Sequence, residues 1–399
     1  MAYQARRPAL RLSREAVVQL LAENGLLTRA ELARRIGVSR AAVSMTVTRL
    51  IGDGLVVEST EAAARDQSVL GVPLTLNPLA GGAVGVDFAH QSLRVVIADL
   101  AHKVLAEDSR ELALDHDARE AMDLAAALVG ELLGRSGLQP SGVLGVGVGV
   151  PGAVDHRSGR PTPSSISPSW VGLDVAGEFS ERVGMPVLVD NNANLGALAE
   201  VVWGAARDFT DVIYVKVGPG VGGGIVLGGQ LWRGATGMSG ELGHMTVDET
   251  GPMCRCGNRG CLEVYVGLWA QLGALRPVLG GRLDQAELLA LAQGGDRRCR
   301  RVLADVGTTL GKALANVCNI INPEAIVLGG EFAPAFDLVS GPVREAINTF
   351  ALHLAATSVE VVPSQLGERA EALGGVALVF HEGVGLATPA DRAVRAAAK

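Results

Sequence analysis

The stretch GELGHMTVDETGPMCRCGNRGCLE, residues 240–263, carries the strongest chemical signal in the chain. It contains His244, followed by Cys254, Cys256 and Cys261. Three thiolates and one imidazole form the ligand set of a closed, tetrahedral structural zinc site. Glycines within the loop allow it to fold tightly enough for the three sulfurs to converge. The pattern therefore predicts a structural Zn²⁺ ion bound by these four side chains.

A disulfide framework is the alternative interpretation of these clustered cysteines. In an intracellular chain of this size, clustered cysteines favour a metal site. The remaining cysteines, Cys299 and Cys318, lie in helical patterns and are interpreted as buried core thiols.

The composition indicates a well-packed α/β protein with several domains. At 399 residues the chain is too long for one hydrophobic core. Because a domain usually has about 100–200 residues, we expect roughly two to four domains. A hydrophobic fraction of 48% with 52 glycines fits an ordered fold with many tight turns. No apolar run reaches the ~20 residues of a membrane span, and the basic residues 1–14 lack the apolar region of a secretory signal. We expect a cytoplasmic protein with no membrane partner.

From residue 83 onward, apolar strands alternate with helical segments, which is typical of an α/β body. The predicted strands are Val84–Phe88, Leu93–Leu100, Val143–Val150, Val187–Val189, Val212–Val217, Gly224–Leu227, Ala325–Leu328 and Val359–Val362. The predicted long helices are Glu120–Gly134, Leu195–Trp203, Arg297–Ile321 and Val343–Leu354.

Residues 26–55 carry a helix-turn-helix pattern. Thr28 and Glu31 have the spacing of a capping box, and Ser39 is suited to cap the next helix after a turn at Gly37. Three apolar residues of that second helix have the spacing of a core-facing stripe. They are Val43, Val47 and Leu50.

The opposite face of this helix has the composition of a DNA recognition surface. It combines small polar groups that can approach base edges with cations for phosphates. The predicted DNA contacts are Ser39, Arg40, Ala41, Ser44, Met45, Thr48 and Arg49. Residues 52–57 start a hairpin that predicts a wing, and the polar stretch 61–78 completes the wing and linker. A three-helix interaction module is the alternative interpretation.

Charge is unevenly distributed between the two ends of the chain. The formal net charge is −7, but residues 1–60 hold nine arginines and five acids, 9 − 5 = +4. The remainder therefore carries −7 − 4 = −11. A basic head on an acidic body suits contact with DNA phosphates by the head alone.

Three motifs resemble the signatures of the ROK family, which contains repressors, open reading frames and sugar kinases. They are GELGH at 240–244, CxCGxxGCLE at 254–263 and DNNAN at 190–194. The resemblance implies two actin-like α/β lobes around a sugar cleft, behind the winged helix-turn-helix of the repressor branch. The expected domains are 1–77, the winged helix and linker; 78–196 with a C-terminal helix at about 370–390, the first lobe; and 197–369, the second lobe with the zinc loop and dimerisation surface.

The resemblance also implies which residues contact the sugar. They are Gly152, Asn191, Asn192, Glu241, His244 and Glu263. Carboxylates and amides suit a ring of hydroxyls because they accept and donate in fixed directions. One ring nitrogen of His244 can bind zinc while the other faces a sugar hydroxyl. Outside these motifs, Glu241 and Glu263 would be interpreted as ordinary surface acids.

The sequence departs from the kinases of the family at three positions. Asn192 occupies the place of the general base, and an amide cannot accept the hydroxyl proton. The first phosphate turn, residues 87–92, lacks the glycines that admit a phosphate to backbone amides. The second loop, residues 218–224, keeps its glycines but has Pro219 where the family usually has threonine. We therefore predict no catalytic residues.

These expectations together describe a sugar-responsive transcriptional regulator, most simply a repressor of carbohydrate genes. Its expected partners are double-stranded operator DNA with an inverted repeat, a small sugar effector and further copies of itself, as a homodimer or dimer of dimers. When bound to DNA it would be associated with the nucleoid. Two alternatives stay open: an active ATP-dependent sugar kinase with a regulatory head, and a DNA-binding protein whose body is only a zinc-stabilised dimerisation scaffold.

Overall fold

A computed structural model of the chain describes residues 14–59, 71–77, 80–113, 116–162, 168–280 and 283–382. Three features expected from the sequence lie wholly or partly outside these ranges. They are the basic residues 1–13, most of the polar linker, and the part of the C-terminal helix expected beyond residue 382.

The N-terminal part is a winged helix, as predicted. Its elements are α1 (Arg14–Asn24), β1 (Leu27–Thr28), α2 (Arg29–Ile36), α3 (Arg40–Gly52), β2 (Val56–Glu58) and β3 (Pro73–Leu76). The strands form an antiparallel sheet in the order β1-β3-β2. Strands β2 and β3 are the two sides of the wing.

Local sequence explains where α2 and α3 begin and end. The Glu31 amide donates to Thr28 Oγ1 over 3.2 Å, and the Thr28 amide donates to a Glu31 carboxylate oxygen over 2.7 Å. This reciprocal capping box satisfies backbone donors at the start of α2. Gly37 ends α2 with a φ of +79°, which glycine adopts without a side-chain clash. The predicted core stripe of α3 is fully buried: Val43, Val47 and Leu50.

The first lobe of the body contains a five-stranded sheet in the order β10-β7-β4-β5-β6. Its strands are β4 (Gly82–Phe88), β5 (Ser92–Asp99), β6 (Val104–Glu111), β7 (Val143–Val150) and β10 (Val187–Asn191). A separate hairpin is formed by β8 (Val154–Asp155) and β9 (Arg160–Pro161), and the helices are α4 (Ala118–Ser136) and α5 (Val175–Val183). Strands β4, β5 and β6 are antiparallel neighbours, while β7 and β10 run parallel to β4.

The second lobe repeats this topology. Its five-stranded sheet has the order β13-β12-β11-β14-β15. The elements are α6 (Asn192–Val202), which joins the two lobes, β11 (Val212–Val217), β12 (Val221–Leu227), β13 (Gln230–Leu231), β14 (Ala325–Gly329) and β15 (Glu360–Pro363). An antiparallel meander is again followed by two strands parallel to its first strand. This duplication confirms the actin-like architecture, although the sequence itself shows no repeat.

The remaining helices are α7 (Glu263–Val266), α8 (Leu268–Leu279), α9 (Gln285–Gln293), α10 (Arg297–Ile321), α11 (Phe336–Phe350), α12 (His353–Ser358) and α13 (Ala370–His381). The predicted single helix Val343–Leu354 is wrong. Helix α11 starts earlier and ends at Phe350, and α12 begins only at His353. The chain is extended at Leu352, whose amide donates to Asn319 Oδ1 over 2.8 Å.

Helix α13 packs back onto the first sheet beside α6. A side chain on Gly147 of β7 would overlap the Gly375 carbonyl, so this approach requires glycine. The packing holds the start of α6 at the carboxyl end of β10, where Asn191 and Asn192 lie. Within the ranges the structure describes, no helix combines the length and apolarity needed to cross a bilayer.

Candidate functional site

The structure brings the four predicted metal ligands together. The ligand atoms of His244, Cys254, Cys256 and Cys261 all lie within 4.8 Å of one another. Cys254 Sγ is 3.7 Å from His244 Nδ1, and the sulfurs of Cys256 and Cys261 are 3.6 Å apart. Two isolated β-bridges hold the loop closed: Thr246 pairs with Cys261 near its base, and Met253 pairs with Arg259 nearer its tip. This cluster could bind a metal ion.

The chemistry of these donors fits a cation. Burial raises the pKa of Cys254, and burial together with hydrogen bonds from the neighbouring thiols raises the pKa of Cys261 to about 12. Three thiolates this close would repel one another, so the fully deprotonated cluster requires a positive charge among them. A divalent metal would supply that charge.

His244 belongs to the metal cluster and to the cleft beside it. While Nδ1 faces Cys254, Nε2 lies 3.8 Å from a Glu241 carboxylate oxygen. Burial lowers the pKa of His244, which favours the neutral ring that a metal ligand requires. Burial also raises the pKa of Glu241.

A cleft of about 640 Å³ opens between the two lobes. Five of the six predicted sugar contacts line it: Gly152, Asn191, Asn192, Glu241 and His244. The first three come from the first lobe and its junction with α6, and the last two come from the second lobe. The cleft therefore offers amide, carboxylate and imidazole groups from opposite sides.

Glu263, the sixth predicted contact, is not among the residues that line the cleft. It is buried and accepts hydrogen bonds from the Arg255 guanidinium over 2.6 Å and from the Val221 amide over 3.1 Å. Arg255 instead lines the cleft. Sequence reasoning missed Arg255, although its place between two metal ligands fixes it close to the site.

The two adjacent asparagines have different surroundings. Asn191 Nδ2 donates to the Gly152 carbonyl over 2.7 Å, while Asn191 Oδ1 accepts from the Ala193 and Asn194 amides. Asn191 thus caps α6 and ties it to the turn after β7. Among the described residues, the Asn192 side chain has no hydrogen-bond partner, which leaves its amide available to a ligand in the cleft.

The end of the cleft that would hold phosphates in a kinase contains several carboxylates. Glu331 lines it, and burial raises its pKa. Burial also raises the pKa of the nearby Asp87 to about 7. Lys216 is the cation here, but its Nζ lies 3.1 Å from Glu371 Oε1. The pKa of Lys216 is raised overall. Burial alone would lower this pKa, but the attraction of Glu371 and Asp87 outweighs the effect of burial. Sequence reasoning missed Lys216, Glu331 and Glu371.

The predicted DNA-contacting residues form one face of α3. Six are exposed, namely Ser39, Arg40, Ala41, Met45, Thr48 and Arg49, while Ser44 is half-buried. Met45 retains 66% of its possible exposure, which is high for an apolar side chain. In the described part of the chain, Arg40 and Arg49 have no ion-pair partner, so both cations are available to phosphates.

Comparisons with known proteins agree with both halves of this architecture. The signature of the ROK family matches residues 83–382, and that of the MarR family matches residues 16–66. The xylose repressor of Bacillus subtilis (strain 168) is 30% identical over 374 residues, which are 93% of this chain and 95% of the repressor. A crystal structure of a ROK family transcriptional regulator, a homologue of the E. coli MLC protein, superposes with a TM-score of 0.77 at 25% identity and covers 94% of this chain and 97% of that one.

A kinase relative matches a smaller share of the chain. The glucokinase of Thermotoga maritima is 30% identical over 310 residues, 74% of this chain and 96% of the enzyme. The part of this chain that the glucokinase does not match is about as long as the winged helix and linker. This chain belongs to the ROK family, and it combines the family's sugar-kinase-like body with the N-terminal winged helix that its transcriptional regulators share.

Proposed function

We propose that this protein is a sugar-responsive transcriptional repressor of carbohydrate genes, whose cleft binds a sugar effector without phosphorylating it. The observation that carries the proposal is Asn192. It stands in the cleft with its amide free, where a sugar kinase needs a carboxylate to remove the proton of the attacking hydroxyl. An amide at this place can hold a hydroxyl but cannot activate it.

Three further features oppose phosphoryl transfer. Pro219 lines the cleft without a backbone donor, and Ala89 and His90 occupy the first phosphate turn. Glu331 also lines that end, where its carboxylate would repel the phosphates of a nucleoside triphosphate. An active sugar kinase with a regulatory head is therefore the second candidate, favoured only by the retained glycines of the second loop.

Zinc is the metal best suited to the cluster of three thiolates and one imidazole. In the regulator it would have a structural role, since four protein ligands leave no open coordination position. The ion would fix the loop that carries Arg255 and orient the His244 ring toward the cleft.

Operator binding is assigned to α3, with Arg40 and Arg49 on phosphates and the smaller side chains of the face near base edges. Such heads bind paired half-sites, so we expect a homodimer on an inverted repeat, with a dimer of dimers as a further possibility. A cytoplasmic location, at the nucleoid when bound to DNA, follows from this function.

The second lobe presents an apolar surface suited to a second copy of the chain. Its residues lie at the ends of α10, α11 and α12, and all are strongly exposed: Ile320, Phe350, Leu352 and Leu354. Exposed apolar clusters of this kind are typical of association surfaces. Sedimentation velocity should find a dimer of the wild type and a monomer of a variant carrying Leu352→Glu and Leu354→Glu.

One experiment tests the proposed function directly. Full-length protein is screened by thermal shift against D-xylose, D-glucose, N-acetylglucosamine and related sugars, because a ligand that binds only the native state raises its melting temperature. A stabilising sugar is then added to gel-shift titrations with the protein's own promoter region. We expect salt-sensitive DNA binding that the sugar changes. Absence of any DNA binding, or sustained ADP release with the bound sugar, would overturn the proposal.

A further inference from the structure

One segment of the second lobe crosses to the first lobe at the side of the cleft. It runs over residues 233–238, directly after β13. The His156 amide of the first lobe donates to the Thr236 carbonyl over 2.9 Å. Next to it, Gly237 approaches the Val154 carbonyl so closely that a side chain there would overlap it. The segment is thus fixed to the β8–β9 hairpin.

Arg233 begins this segment and contacts two carboxylates at once. Its Nε lies 2.6 Å from Asp190 Oδ2, and its Nη2 lies 2.7 Å from Glu382 Oε1. The side chains of Arg233 and Asp190 are largely buried, with 19% and 6% exposure. Charge-assisted hydrogen bonds of this length, shielded from water, are among the stronger polar contacts in proteins.

Asp190 carries the effect of this contact to the cleft. Its second oxygen, Oδ1, accepts from the Asn191 amide over 2.7 Å and from Asn194 Nδ2 over 2.8 Å. Asp190 therefore shares its two oxygens between Arg233 and the start of α6. The cleft residues Asn191 and Asn192 stand at this start.

Glu382 carries the same contact toward the winged helix. It follows α13 directly. Two residues of this helix, Val376 and Val379, belong to a continuous apolar cluster that also contains Leu74 and Leu76 of the wing strand β3. A displacement at the end of α13 therefore acts on a core that the head shares with the body.

We propose that Arg233 is a positioning residue that couples the cleft to the winged helix, by holding Asp190 at the sugar-binding end and Glu382 at the end of α13. This inference rests on the proposed function and specifies how that site is regulated. Arg233 does not line the cleft and affects it only through Asp190. The planar guanidinium suits the task because its fork serves two carboxylates in fixed directions, which the single ammonium of lysine does not.

Coupling follows from the shared side chain. A sugar that closes the lobes would shift the second lobe relative to the first. Arg233 belongs to the second lobe and is bound to Asp190 and Glu382, which both belong to the first. Two ligands are coupled when each prefers one arrangement of a common element. Here the common element is the Asp190–Arg233–Glu382 contact.

The test uses full-length protein with Arg233→Gln and Glu382→Gln. The control variant is Arg182→Gln, which removes a 2.6 Å ion pair with Asp123 between α5 and α4 and changes neither the cleft lining nor α13. Sugar affinity is measured by calorimetry with D-xylose, D-glucose and N-acetylglucosamine, and operator affinity with and without the sugar that binds. We expect Arg233→Gln to weaken sugar binding by about tenfold, as loss of a charge-assisted hydrogen bond does, and to abolish the sugar effect on DNA.

The Glu382 variant separates positioning from coupling. Glu382→Gln should leave sugar affinity within about twofold, because Asp190 keeps its partner, while the sugar effect on operator affinity falls by about fivefold or more. The Arg182 control should match the wild type in both measurements. Wild-type coupling in Arg233→Gln, or an equal loss of sugar affinity in both test variants, would overturn the inference.

Hydrogen exchange gives a readout that needs no sugar. Arg233→Gln should speed amide exchange at residues 191–194 and at the end of α13, while Glu382→Gln should speed it at α13 alone. If no sugar binds the wild type, the proposed function fails. The exchange rates would still show whether Arg233 positions Asp190 and the start of α6. Unchanged exchange at residues 191–194 in Arg233→Gln would refute that role.

Discussion

His244 Nδ1 lies 3.7 Å from Cys254 Sγ, on the side of the ring that faces the metal cluster. The opposite nitrogen of the same ring points toward Glu241 and the cleft. A metal bound at Nδ1 would fix both the tautomer and the direction of Nε2. The His/Cys cluster and the cleft thus share a side chain, so loss of a metal from the cluster is expected to disturb the cleft.

The first prediction concerns the metal. Elemental analysis of native protein should give one zinc per chain, and Cys256→Ser should remove most of it, because a structural site depends on all four ligands. The variant should also melt at a lower temperature and bind sugar more weakly. Cys299→Ala is the matched control, since this buried thiol lies outside the cluster. Native protein without stoichiometric zinc would contradict the assignment.

The second prediction concerns phosphoryl transfer. Asn192→Asp restores a carboxylate at the position of the general base, a group worth typically 10²–10⁴-fold in rate. We nevertheless expect no ADP formation above background with glucose in a coupled assay, because Pro219 and the carboxylate of Glu331 remain at the phosphate end. The Thermotoga maritima glucokinase serves as the positive control. Turnover by the variant would show that the missing base is the sole obstacle.

Sequence reasoning succeeded where the deciding residues are close together along the chain. The capping box of Thr28 and Glu31, the core stripe of α3 and the cluster of three cysteines and one histidine each lie within a few turns or one loop. Their geometry follows from local rules of spacing and capping. The domain boundaries stay predictions, and the one expected between residues 196 and 197 lies within α6.

Contacts between distant elements could not be predicted in this way. Lys216 and Glu371 are far apart in sequence and meet only because α13 returns to the cleft. Glu263 keeps the motif position that suggested a sugar contact, but Arg255 pairs with it and replaces it at the cleft wall. The break before α12 depends on a hydrogen bond from Leu352 to Asn319, while the apolar periodicity continues across it.

The third prediction concerns DNA binding. Removing one cation that binds a DNA phosphate should reduce the slope of log affinity against log salt by about 0.9. Arg40→Gln and Arg49→Gln should each change the slope by this amount and weaken binding to all sequences alike. Arg301→Gln in the second lobe, an exposed arginine far along the chain, should leave the slope unchanged. An unchanged slope in both α3 variants would remove these arginines from the interface.

The last prediction concerns pH and the turn before β6. His102 packs between Trp203 and Phe380, with its ring stacked on Phe380 at 5.4 Å. Burial, with a smaller contribution from His381, lowers the pKa of His102 to about 4. An unfolded histidine titrates near 6.5. The unfolded state therefore binds the extra proton first, and stability present above about pH 6.5 is lost as the pH falls toward 4.

Because His102 has a φ of +63°, His102→Asn is the suitable variant: asparagine tolerates this conformation and does not titrate. At pH 7.5 the variant should be less stable, since it lacks the ring contacts with Trp203 and Phe380. As the pH falls from 6.5 to 4, the free energy of unfolding of the wild type should fall by up to about 3 kcal/mol more than that of the variant. The difference in urea midpoint between the two proteins should therefore shrink. If the difference in urea midpoint stayed constant over this range, the pKa of His102 in the folded protein would be close to its value in the unfolded chain.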